Sequence, residues 1–253
     1  MKTISETSFY APPEQIQHTT LSLFGPEAKH AHTVLRCSTG DRMTVVDGCG
    51  YEYAVSVGRV LADRVECTIL RRRKGPREPT CHITLAQSLC RSPRFDIVVE
   101  KTTELGVRTI LPVITERSVP RFQKEHVQSR IDRWRKVAMA AMKQSRRSIL
   151  PTIGPAVSFD EILTFAHDFE LSLVASEKER ESGLRTLLGP LSTAKRALIL
   201  VGPEGGFSER EIERTKKAGL LPFSIGPRRL RAETAGIVAV SLLLYERGDL
   251  GIR

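Results

Sequence analysis

Short apolar segments alternate with longer amphipathic ones through the last two thirds of the chain. The apolar segments predict five buried strands, at residues 82–88, 109–115, 170–175, 197–201 and 221–225. Between them, apolar positions recur with helical periodicity and predict helices at residues 92–105, 125–147, 208–218 and 233–246. Because strands that alternate with helices usually form crossover units, this region is predicted to be an α/β domain with a parallel sheet.

The first third of the chain has a different pattern. Turn residues such as Asp47-Gly48 separate short strand-like runs, at residues 42–46, 52–60 and 64–70, which predicts a small β-rich domain. The stretch from Arg71 to Pro79 combines clustered basic residues with a glycine and two prolines, and predicts a linker. We therefore expect a first domain at residues 1–72, a basic linker at 73–80 and a second domain at 81–253.

Local pairs within the predicted helices have structural interpretations. Trp134 lies on an apolar helix face, so we predict that it packs in the core rather than stacks on a nucleic-acid base. Lys101 and Glu104 lie three positions apart and are expected to pair across one helical turn. Ser208, with Glu211 three residues later, predicts a capping box at the start of the helix that follows.

Two glycine-rich loops follow the last two predicted strands. Residues 202–206 have the sequence Gly-Pro-Glu-Gly-Gly, and residues 224–231 have the sequence Ser-Ile-Gly-Pro-Arg-Arg-Leu-Arg. Loops at the carboxyl ends of parallel strands usually form the ligand site, because their backbone amides can approach the ligand closely. The alternative is that these glycines and prolines only form turns. Glu204, Arg231 and Glu233, in and beside the loops, favour a small-molecule pocket.

Several functional classes lose support from what the chain lacks. It contains no Gly-Lys-Ser or Gly-Lys-Thr phosphate loop, and residues 48–50 are followed by Tyr53 where the dinucleotide-binding motif requires glycine. No apolar run approaches the ~20 residues that span a bilayer. The five cysteines include no Cys-x-x-Cys pair, and His30 and His32 would point to different helix faces. We therefore expect a cytoplasmic protein with no membrane contact, disulfide framework or metal site.

Positive charge is concentrated in one zone of the sequence. The net charge is +10, and residues 71–147 contain 19 Lys or Arg against 7 Asp or Glu. Such a zone suits a polyanion, because neutralised phosphates release condensed counterions. The alternative is that these residues only solvate helix faces. The sequence predicts RNA contacts from Arg71, Arg72, Arg73, Lys74, Arg91, Arg94, Arg146 and Arg147.

Four sequence blocks together resemble one family. LVGPEGGFSEREI (residues 200–212) and IGPRRLRAETAGIVAV (225–240), with KTTELGV (101–107) and ERS (116–118), are similar to the RsmE family of SPOUT-class RNA methyltransferases. A weaker match within residues 30–48 extends the resemblance into the first domain. The resemblance implies that the protein uses S-adenosylmethionine to methylate N3 of a uridine in the decoding region of 16S rRNA, within the small ribosomal subunit.

The resemblance also implies features of the fold. SPOUT domains have a parallel sheet with helices on both faces and a trefoil knot near the carboxyl end, and they form homodimers. The family carries a PUA-like β-barrel at its amino-terminal end, here up to about residue 72. SPOUT domains hold the cofactor with three loops, which predicts cofactor contacts from Val174, Ala175, Ser176, Leu200, Gly202, Pro203, Glu204, Gly205, Gly206, Ser224, Ile225, Gly226, Leu230, Thr234 and Ala235.

The chemistry of a uracil acceptor assigns roles to a few residues. N3 must lose its proton as its lone pair attacks the sulfonium methyl group, so the site needs a base and a group that stabilises negative charge. Arg231 is expected to stabilise the negative charge that grows on uracil O2 or O4. Glu204 or Glu233 is expected to accept the N3 proton, and Thr234 is expected to assist by hydrogen bonding. The sequence does not separate the two carboxylates.

Other interpretations follow from particular residues. The chain contains no asparagine, whereas SPOUT enzymes that methylate the ribose 2′-hydroxyl have asparagines in their motifs, so base methylation is favoured. The alternatives are a noncatalytic RNA-binding or ribosome-assembly factor and a methyltransferase that acts on another RNA. The sequence departs from the family at Ser8, where relatives often have arginine, and at Arg146, where they often have glycine.

Overall fold

The computed structural model describes residues 2–91, 93–118, 127–179, 182–189 and 193–251. Contacts divide the chain into two units. Unit 1 comprises Met1–Glu78 and Met139–Leu150, and unit 2 comprises Pro79–Ala138 and Pro151–Arg253. The second segment of unit 1 was not predicted from the sequence, because a helix pattern that continues through residue 139 gives no sign that its two halves belong to different units.

Unit 1 is built on a five-stranded sheet. Its strands are β1 (Thr3–Tyr10), β2 (Thr20–Phe24), β3 (Arg42–Val46), β4 (Tyr51–Val60) and β5 (Arg64–Lys74). Their spatial order is β1-β3-β4-β5-β2, with β1 and β3 parallel and the other neighbours antiparallel. Helix α1 (Gly25–Lys29) continues into a π-helical turn at His30–Val34. The three predicted strands are present, whereas β1 and β2 were not predicted.

Alternation of side chains explains why these segments form a sheet with one buried face. In β4, Tyr53, Val55 and Val57 are buried, and in β5, Val65 and Cys67 are buried. Successive residues of a strand point to opposite faces, so these positions share the core face. The sheet therefore has an apolar core of its own, which the sequence predicted as a small β-rich domain.

The predicted linker is corrected by the structure, in which the basic stretch after residue 70 begins as part of a strand. Strand β5 continues to Lys74, and its end pairs with β4, Arg72 opposite Tyr53 and Lys74 opposite Tyr51. The hydrogen bonds to β4 hold an extended backbone there although every side chain from Arg71 to Lys74 is exposed. Composition alone could not distinguish an exposed basic strand from a linker.

Glu78 ties the later segment of unit 1 to the earlier one. One carboxylate oxygen accepts hydrogen bonds from the backbone amides of Ser148, at 2.8 Å, and Ile149, at 3.0 Å. The other accepts from the guanidinium of Arg147 at 2.7 Å. Arg147 is only 2% exposed, so this ion pair is buried. The Glu78 side chain thus makes several of the contacts that hold the segment 139–150 within unit 1, beside backbone hydrogen bonds between residues 48–50 and 148–150.

Unit 2 contains a parallel sheet with the spatial order β12-β10-β11-β6-β7-β8, and β9 also pairs with β7. Its strands are β6 (His82–Ser88), β7 (Thr109–Ile114), β8 (Thr152–Ile153), β9 (Val157–Ser158), β10 (Leu171–Ala175), β11 (Arg196–Val201) and β12 (Leu221–Phe223). The helices that follow α1 are α2 (Arg94–Leu105), α3 (Val127–Gln144), α4 (Phe159–Phe165), α5 (Leu184–Leu188), α6 (Glu209–Lys217) and α7 (Ala232–Glu246). The α/β class and the five predicted strands are confirmed, but Ser92 and residues 125–126 lie outside the described residues.

Helices pack on both faces of this sheet. Ala86 belongs to an apolar cluster that also contains Ile162 of α4, with Ile212 of α6 packed against it. Gly236 of α7 instead lies against Leu85. Because neighbouring residues of β6 point to opposite faces, α4 and α6 cover one face and α7 covers the other.

The predicted packing of Trp134 and the predicted pairing of Lys101 with Glu104 are also confirmed. Trp134 is buried, its ring centroid lies 4.3 Å from that of Phe95, and its indole N–H donates to Asp96 at 3.1 Å. Lys101 donates to Glu104 at 2.9 Å on the exposed side of α2. Trp134 is therefore a packing residue, since its ring is not available to a nucleic-acid base.

Gly106 ends α2 in a conformation that excludes a side chain. Its φ is +116°, and a Cβ at this position would lie 2.3 Å from the ring of Pro79. We expect Gly106→Ala to lower the free energy of unfolding by about 3 kcal/mol, because backbone strain and overlap act together. Gly219→Ala is the control, since Gly219 also has positive φ but open space, and should cost about 1 kcal/mol. Urea unfolding measures both, and equal losses would contradict this explanation.

The cysteines differ sharply in accessibility. Cys49 is exposed, whereas Cys37, Cys67, Cys81 and Cys90 are buried. Burial raises the pKa of all four buried thiols, to about 12 for Cys67 and Cys90. Because the thiolate is the reactive form, we expect one fast-reacting thiol per native chain at pH 8. Titration with a chromogenic disulfide measures this number, and two or more fast thiols would contradict the burial described.

Two classes of feature are not found among the described residues. None of their helices is both long and apolar enough to cross a membrane. They also contain no group of three or more histidine, cysteine, aspartate or glutamate side chains placed to hold a metal ion.

Candidate active site

Three loops meet at the carboxyl ends of neighbouring strands in unit 2. Strand β10 lies between β11 and β12, and each of the three is followed by one of the predicted loops. Together the loops surround a cavity of about 320 Å³. The predicted cofactor residues that line it are Ala175, Ser176, Gly202, Pro203, Gly205, Gly206, Ile225, Gly226, Leu230 and Ala235.

Five predicted cofactor residues do not line this cavity. Val174 and Leu200 are fully buried in the apolar cluster beneath the loops, because they belong to strands and point into the core. Glu204, Ser224 and Thr234 lie in or beside the loops but do not face the cavity.

Sequence reasoning also missed part of the cavity wall. The additional lining residues come from the loop after β7, from within and beside the three predicted loops, and from α6: Arg117, Glu177, Lys178, Val201, Phe207, Ile212, Pro227, Arg228, Arg229 and Ala232. Arg117 lies in the Glu-Arg-Ser block that contributed to the family resemblance. The presence of Arg117 in that block was the one available signal that it belongs to the site. Nothing in the composition of the block places it beside the glycine loops.

Glycines give the loops backbone conformations that other residues rarely adopt. Gly206 has φ +65°, and its amide donates to the carbonyl of Pro203 at 2.9 Å to close a tight turn. Gly226 has φ +115°. No atom lies within 4 Å of a Cβ built at either position, so the need for glycine is conformational.

Two arginines hold the loops together. Arg117 donates to the carbonyl of Gly205 at 3.0 Å, and Arg229 donates to the carbonyl of Glu204 at 3.2 Å. Arg229 also lies 3.7 Å from the carboxylate of Glu177, in the loop after β10. Arg229 therefore links all three loops, and the carbonyls of the 202–206 loop are turned toward guanidinium groups.

The basic loop leaves several backbone donors available. Within the described parts of the chain, the amides of Arg228, Arg229 and Leu230 donate to no protein acceptor. Unpaired amides at a cavity rim are suited to a ligand that carries hydrogen-bond acceptors.

A polar network fixes the Arg117 loop to α6. Ser208 and Glu211 form the predicted capping box, in which the amide of Ser208 donates to Glu211 at 2.9 Å. The Ser208 hydroxyl also donates to Glu116 at 2.8 Å, and the amide of Glu116 donates to Glu211 at 3.0 Å. Ser208 and Glu211 are buried although Glu116 is exposed, and these hydrogen bonds hold the loop that carries Arg117 at the cavity edge.

Beside the cavity, the two predicted acids are brought together by an arginine. Arg94 donates to Glu204 at 2.9 Å and lies 3.8 Å from Glu233. Arg231, at the N-cap of α7, is exposed and forms no ion pair with any described residue. An exposed guanidinium, two carboxylates and a cavity with free amides therefore lie within one region of unit 2.

Comparison with known proteins relates this site to one family. A family model described as an RNA methyltransferase domain matches residues 76–244. The ribosomal RNA small subunit methyltransferase E of Bacillus subtilis is 30% identical over 91% of this chain and 93% of its own length. Its counterpart in Aquifex aeolicus is 31% identical over 93% and 98%. The chain belongs to the ribosomal RNA small subunit methyltransferase E family.

A solved member of the family has the same fold. The crystal structure of the ribosomal RNA small subunit methyltransferase E of Neisseria gonorrhoeae, bound to S-adenosyl methionine, superposes with a TM-score of 0.84. It is 30% identical, and the match covers 94% of this chain and 97% of that one. The family assignment made from the sequence blocks is confirmed.

For a methyltransferase of this family, basic residues are of interest as RNA contacts. All four predicted on β5, Arg71 to Lys74, are exposed, and two of them also contact neighbouring side chains. The guanidinium of Arg72 lies 3.6 Å from the centroid of the Tyr51 ring, and Arg73 pairs with Glu52. Burial would raise the pKa of Glu52, but hydrogen bonds from Arg73 and Arg77 outweigh it and lower that pKa.

The remaining predicted RNA contacts have different surroundings. Arg91 is exposed just before α2, and Arg146 is partly exposed with a φ of +58°. Arg147 is buried against Glu78, so its prediction as a phosphate contact is wrong. Arg94 pairs with the two acids beside the cavity, and its assignment to the RNA surface stays a prediction. Ser8, the other departure from the family pattern, is 3% exposed.

Proposed function

We propose that this protein transfers a methyl group from S-adenosylmethionine to N3 of a uridine in the decoding region of 16S rRNA, in the small ribosomal subunit. The observation that carries the proposal is the cavity formed by three glycine-containing loops at adjacent strand ends, in a chain of this methyltransferase family. The Neisseria relative, bound to S-adenosyl methionine, supports the choice of cofactor.

The residues of the cavity fit such a cofactor. Its volume of about 320 Å³ falls in the range of about 300–1,000 Å³ usual for small-molecule sites. Ile225 and Leu230 offer apolar contacts to a purine ring, while Ser176 and the free amides of residues 228–230 suit polar groups. Gly205 and Gly226 leave room for a close approach. Bound there, S-adenosylmethionine supplies a methyl group on a positively charged sulfur.

The chain's own residues then handle the proton and the charge of the acceptor. A carboxylate, Glu204 or Glu233, takes the proton from N3, whose bonding pair stays on nitrogen. That pair forms the new N–C bond while the electrons of the C–S bond pass to sulfur, which leaves a neutral thioether. Arg231 donates to O2 or O4 and stabilises the negative charge that grows there. Thr234, exposed in the first turn of α7, is placed to add a hydrogen bond.

RNA binding is assigned to the exposed basic residues. Arg71 and Lys74 on β5, with Arg91 and Arg146, are the predicted contacts whose placement is compatible with phosphate binding. The net charge of +10 adds sequence-independent affinity for a polyanion. A ribosomal substrate also implies a cytoplasmic enzyme, as the cysteine content predicts.

We extend the proposal to three features of the family's architecture. The sheet order β12-β10-β11-β6 in unit 2 is compatible with a trefoil knot near the carboxyl end, and the five-stranded sheet of unit 1 with a PUA-like barrel. A homodimer would cover apolar side chains on neighbouring helices, since Ile97 of α2 is 40% exposed and Tyr245 of α7 is 62% exposed.

Mapping the modified nucleotide tests the proposed function. Purified protein is incubated with small ribosomal subunits and methyl-labelled S-adenosylmethionine, and the RNA is digested and analysed by mass spectrometry. We expect 3-methyluridine in one decoding-region fragment. Transfer RNA and large-subunit RNA are parallel substrates. A methyl group on a ribose or on another RNA would contradict the proposal. Absence of label from every RNA would also contradict it and would favour a noncatalytic binding factor.

A further inference from the structure

Arg94 lies in an unusual position for a basic residue of an RNA-binding protein. It occupies the first turn of α2, where its guanidinium is shared between the carboxylates of Glu204 and Glu233. Its side chain is 35% exposed, that of Glu204 24% and that of Glu233 11%. Two carboxylates around one guanidinium leave an excess negative charge, so this cluster would repel a phosphate.

Each carboxylate in the cluster has one oxygen that is left without a partner. The Oε2 atoms of Glu204 and Glu233 are buried and accept no hydrogen bond from any described residue. Buried carboxylate oxygens without a donor are costly, and they mark sites that are completed by a ligand. A ligand for this cluster must therefore bring an N–H or O–H donor.

No described side chain or backbone amide donates to either of these two oxygens. The Cys90 thiol lies near both acids, and burial together with their negative charge raises its pKa to about 12, so it stays neutral. Gln87 and Ser88, at the carboxyl end of β6, also have buried oxygens without a partner among the described residues. Several buried polar atoms thus lack hydrogen-bond partners at one end of the sheet.

We propose that this cluster is the subsite for the acceptor base, with Arg94 as a positioning residue that orients Glu233 to accept the proton. The inference rests on the proposed function and identifies the ligand as a base with an imide N–H between two carbonyls, as in uracil. The N–H supplies the missing donor to one orphaned oxygen.

The geometry selects Glu233 over Glu204 as the proton acceptor. Glu204 is tied to Arg94 by a charge-assisted hydrogen bond of 2.9 Å, which compensates its charge. Glu233 lies 3.8 Å from Arg94, beyond hydrogen-bond distance, and carries the charge that remains. Its place in the first turn of α7 puts that charge at the amino-terminal end of a helix, where the helix dipole interacts favourably with it. Transfer of the N3 proton to Glu233 Oε2 leaves the cluster neutral.

Steady-state kinetics of variants test the assignment. Arg94→Gln and Glu233→Gln are each expected to lower kcat by at least about 100-fold, the lower range for loss of a general base. The Kd for S-adenosylmethionine, measured by calorimetry, should stay within about threefold of wild type, because neither residue lines the cavity. Arg94→Lys should recover part of kcat, since a lysine keeps the charge without the fork of donors.

The matched control is Lys101→Gln in the same helix. Lys101 also bridges two carboxylates, those of Glu100 and Glu104, but on the surface. It should leave kcat unchanged. A merely structural role of Arg94 is tested by Arg94→Gln combined with Glu204→Gln, which restores the charge balance. We expect the pair to recover the Tm but not kcat.

Each outcome has a distinct meaning. If the wild-type enzyme is active and the Arg94→Gln variant has the same kcat, the role of Arg94 is overturned. Recovery of kcat in the double variant would also overturn it. Loss of cofactor affinity in Arg94→Gln would also overturn it, because the residue would then belong to the cavity. A wild-type protein that binds S-adenosylmethionine but methylates no RNA would instead contradict the proposed function itself.

Discussion

Arg231→Ala is expected to abolish methyl transfer and to leave the affinity for S-adenosylmethionine nearly unchanged. Arg231 is exposed at the N-cap of α7, and its guanidinium has no ion-pair partner in the described structure. Such a group costs little to reorient toward the negative charge that grows on the base. Removal of one donor to a developing oxyanion typically lowers kcat by about 10²- to 10³-fold.

Two measurements separate this role from cofactor binding. Single-turnover transfer to small subunits reports the chemical step, and calorimetry reports the Kd for S-adenosylmethionine. Arg210→Ala is a suitable control, because Arg210 is also exposed, on α6, and lies outside the cavity lining. Wild-type turnover in Arg231→Ala would reject the assigned role, and a large rise in Kd would reassign Arg231 to the cofactor.

Gly205→Leu is expected to weaken S-adenosylmethionine binding by about 10- to 100-fold, the equivalent of overpacking a site by 1–3 kcal/mol. Gly205 lines the cavity, and its φ lies outside the positive range, so a side chain there is not excluded by backbone strain. A Cβ would make an ordinary contact with Arg117 at 3.5 Å, and a longer side chain would enter the cavity.

Gly205→Ala provides the matched control, because it adds only the tolerated Cβ. It should bind S-adenosylmethionine within a few-fold of wild type, whereas the leucine variant should bind weakly at an unchanged Tm. Calorimetry and a thermal melt give these values. Equal affinity of the leucine variant and wild type would exclude the 202–206 loop from the cofactor site.

The fold of unit 2 was largely predictable, whereas one segment of unit 1 was not. Apolar runs bounded by turn residues located the five main strands of the sheet, because parallel strands are buried on both faces. The end of β5 was missed because its side chains are basic and exposed, and only its pairing with β4 makes it a strand. Residues 139–150 join unit 1 through the buried contact of Glu78 with Arg147, a long-range interaction without a local signal.

The site shows the same division between local and long-range information. Glycines and prolines after strands located the cavity loops, since these residues act on the local backbone. The sequence did not show that Val174 and Leu200 lie outside the cavity lining, because it does not mark where a strand ends and its loop begins. The sequence could not show that Arg94 faces two acids or that Arg147 is buried, because a charge pattern does not reveal which charges meet in space.

A crystal structure of the protein with S-adenosylmethionine tests the central claim most directly. The account predicts the ligand in the cavity between the three loops, with amides of residues 228–230 donating to it and its methyl group directed toward the side of Arg231, Glu204 and Glu233. A fully occupied ligand elsewhere on the protein, with these loops empty, would contradict the account.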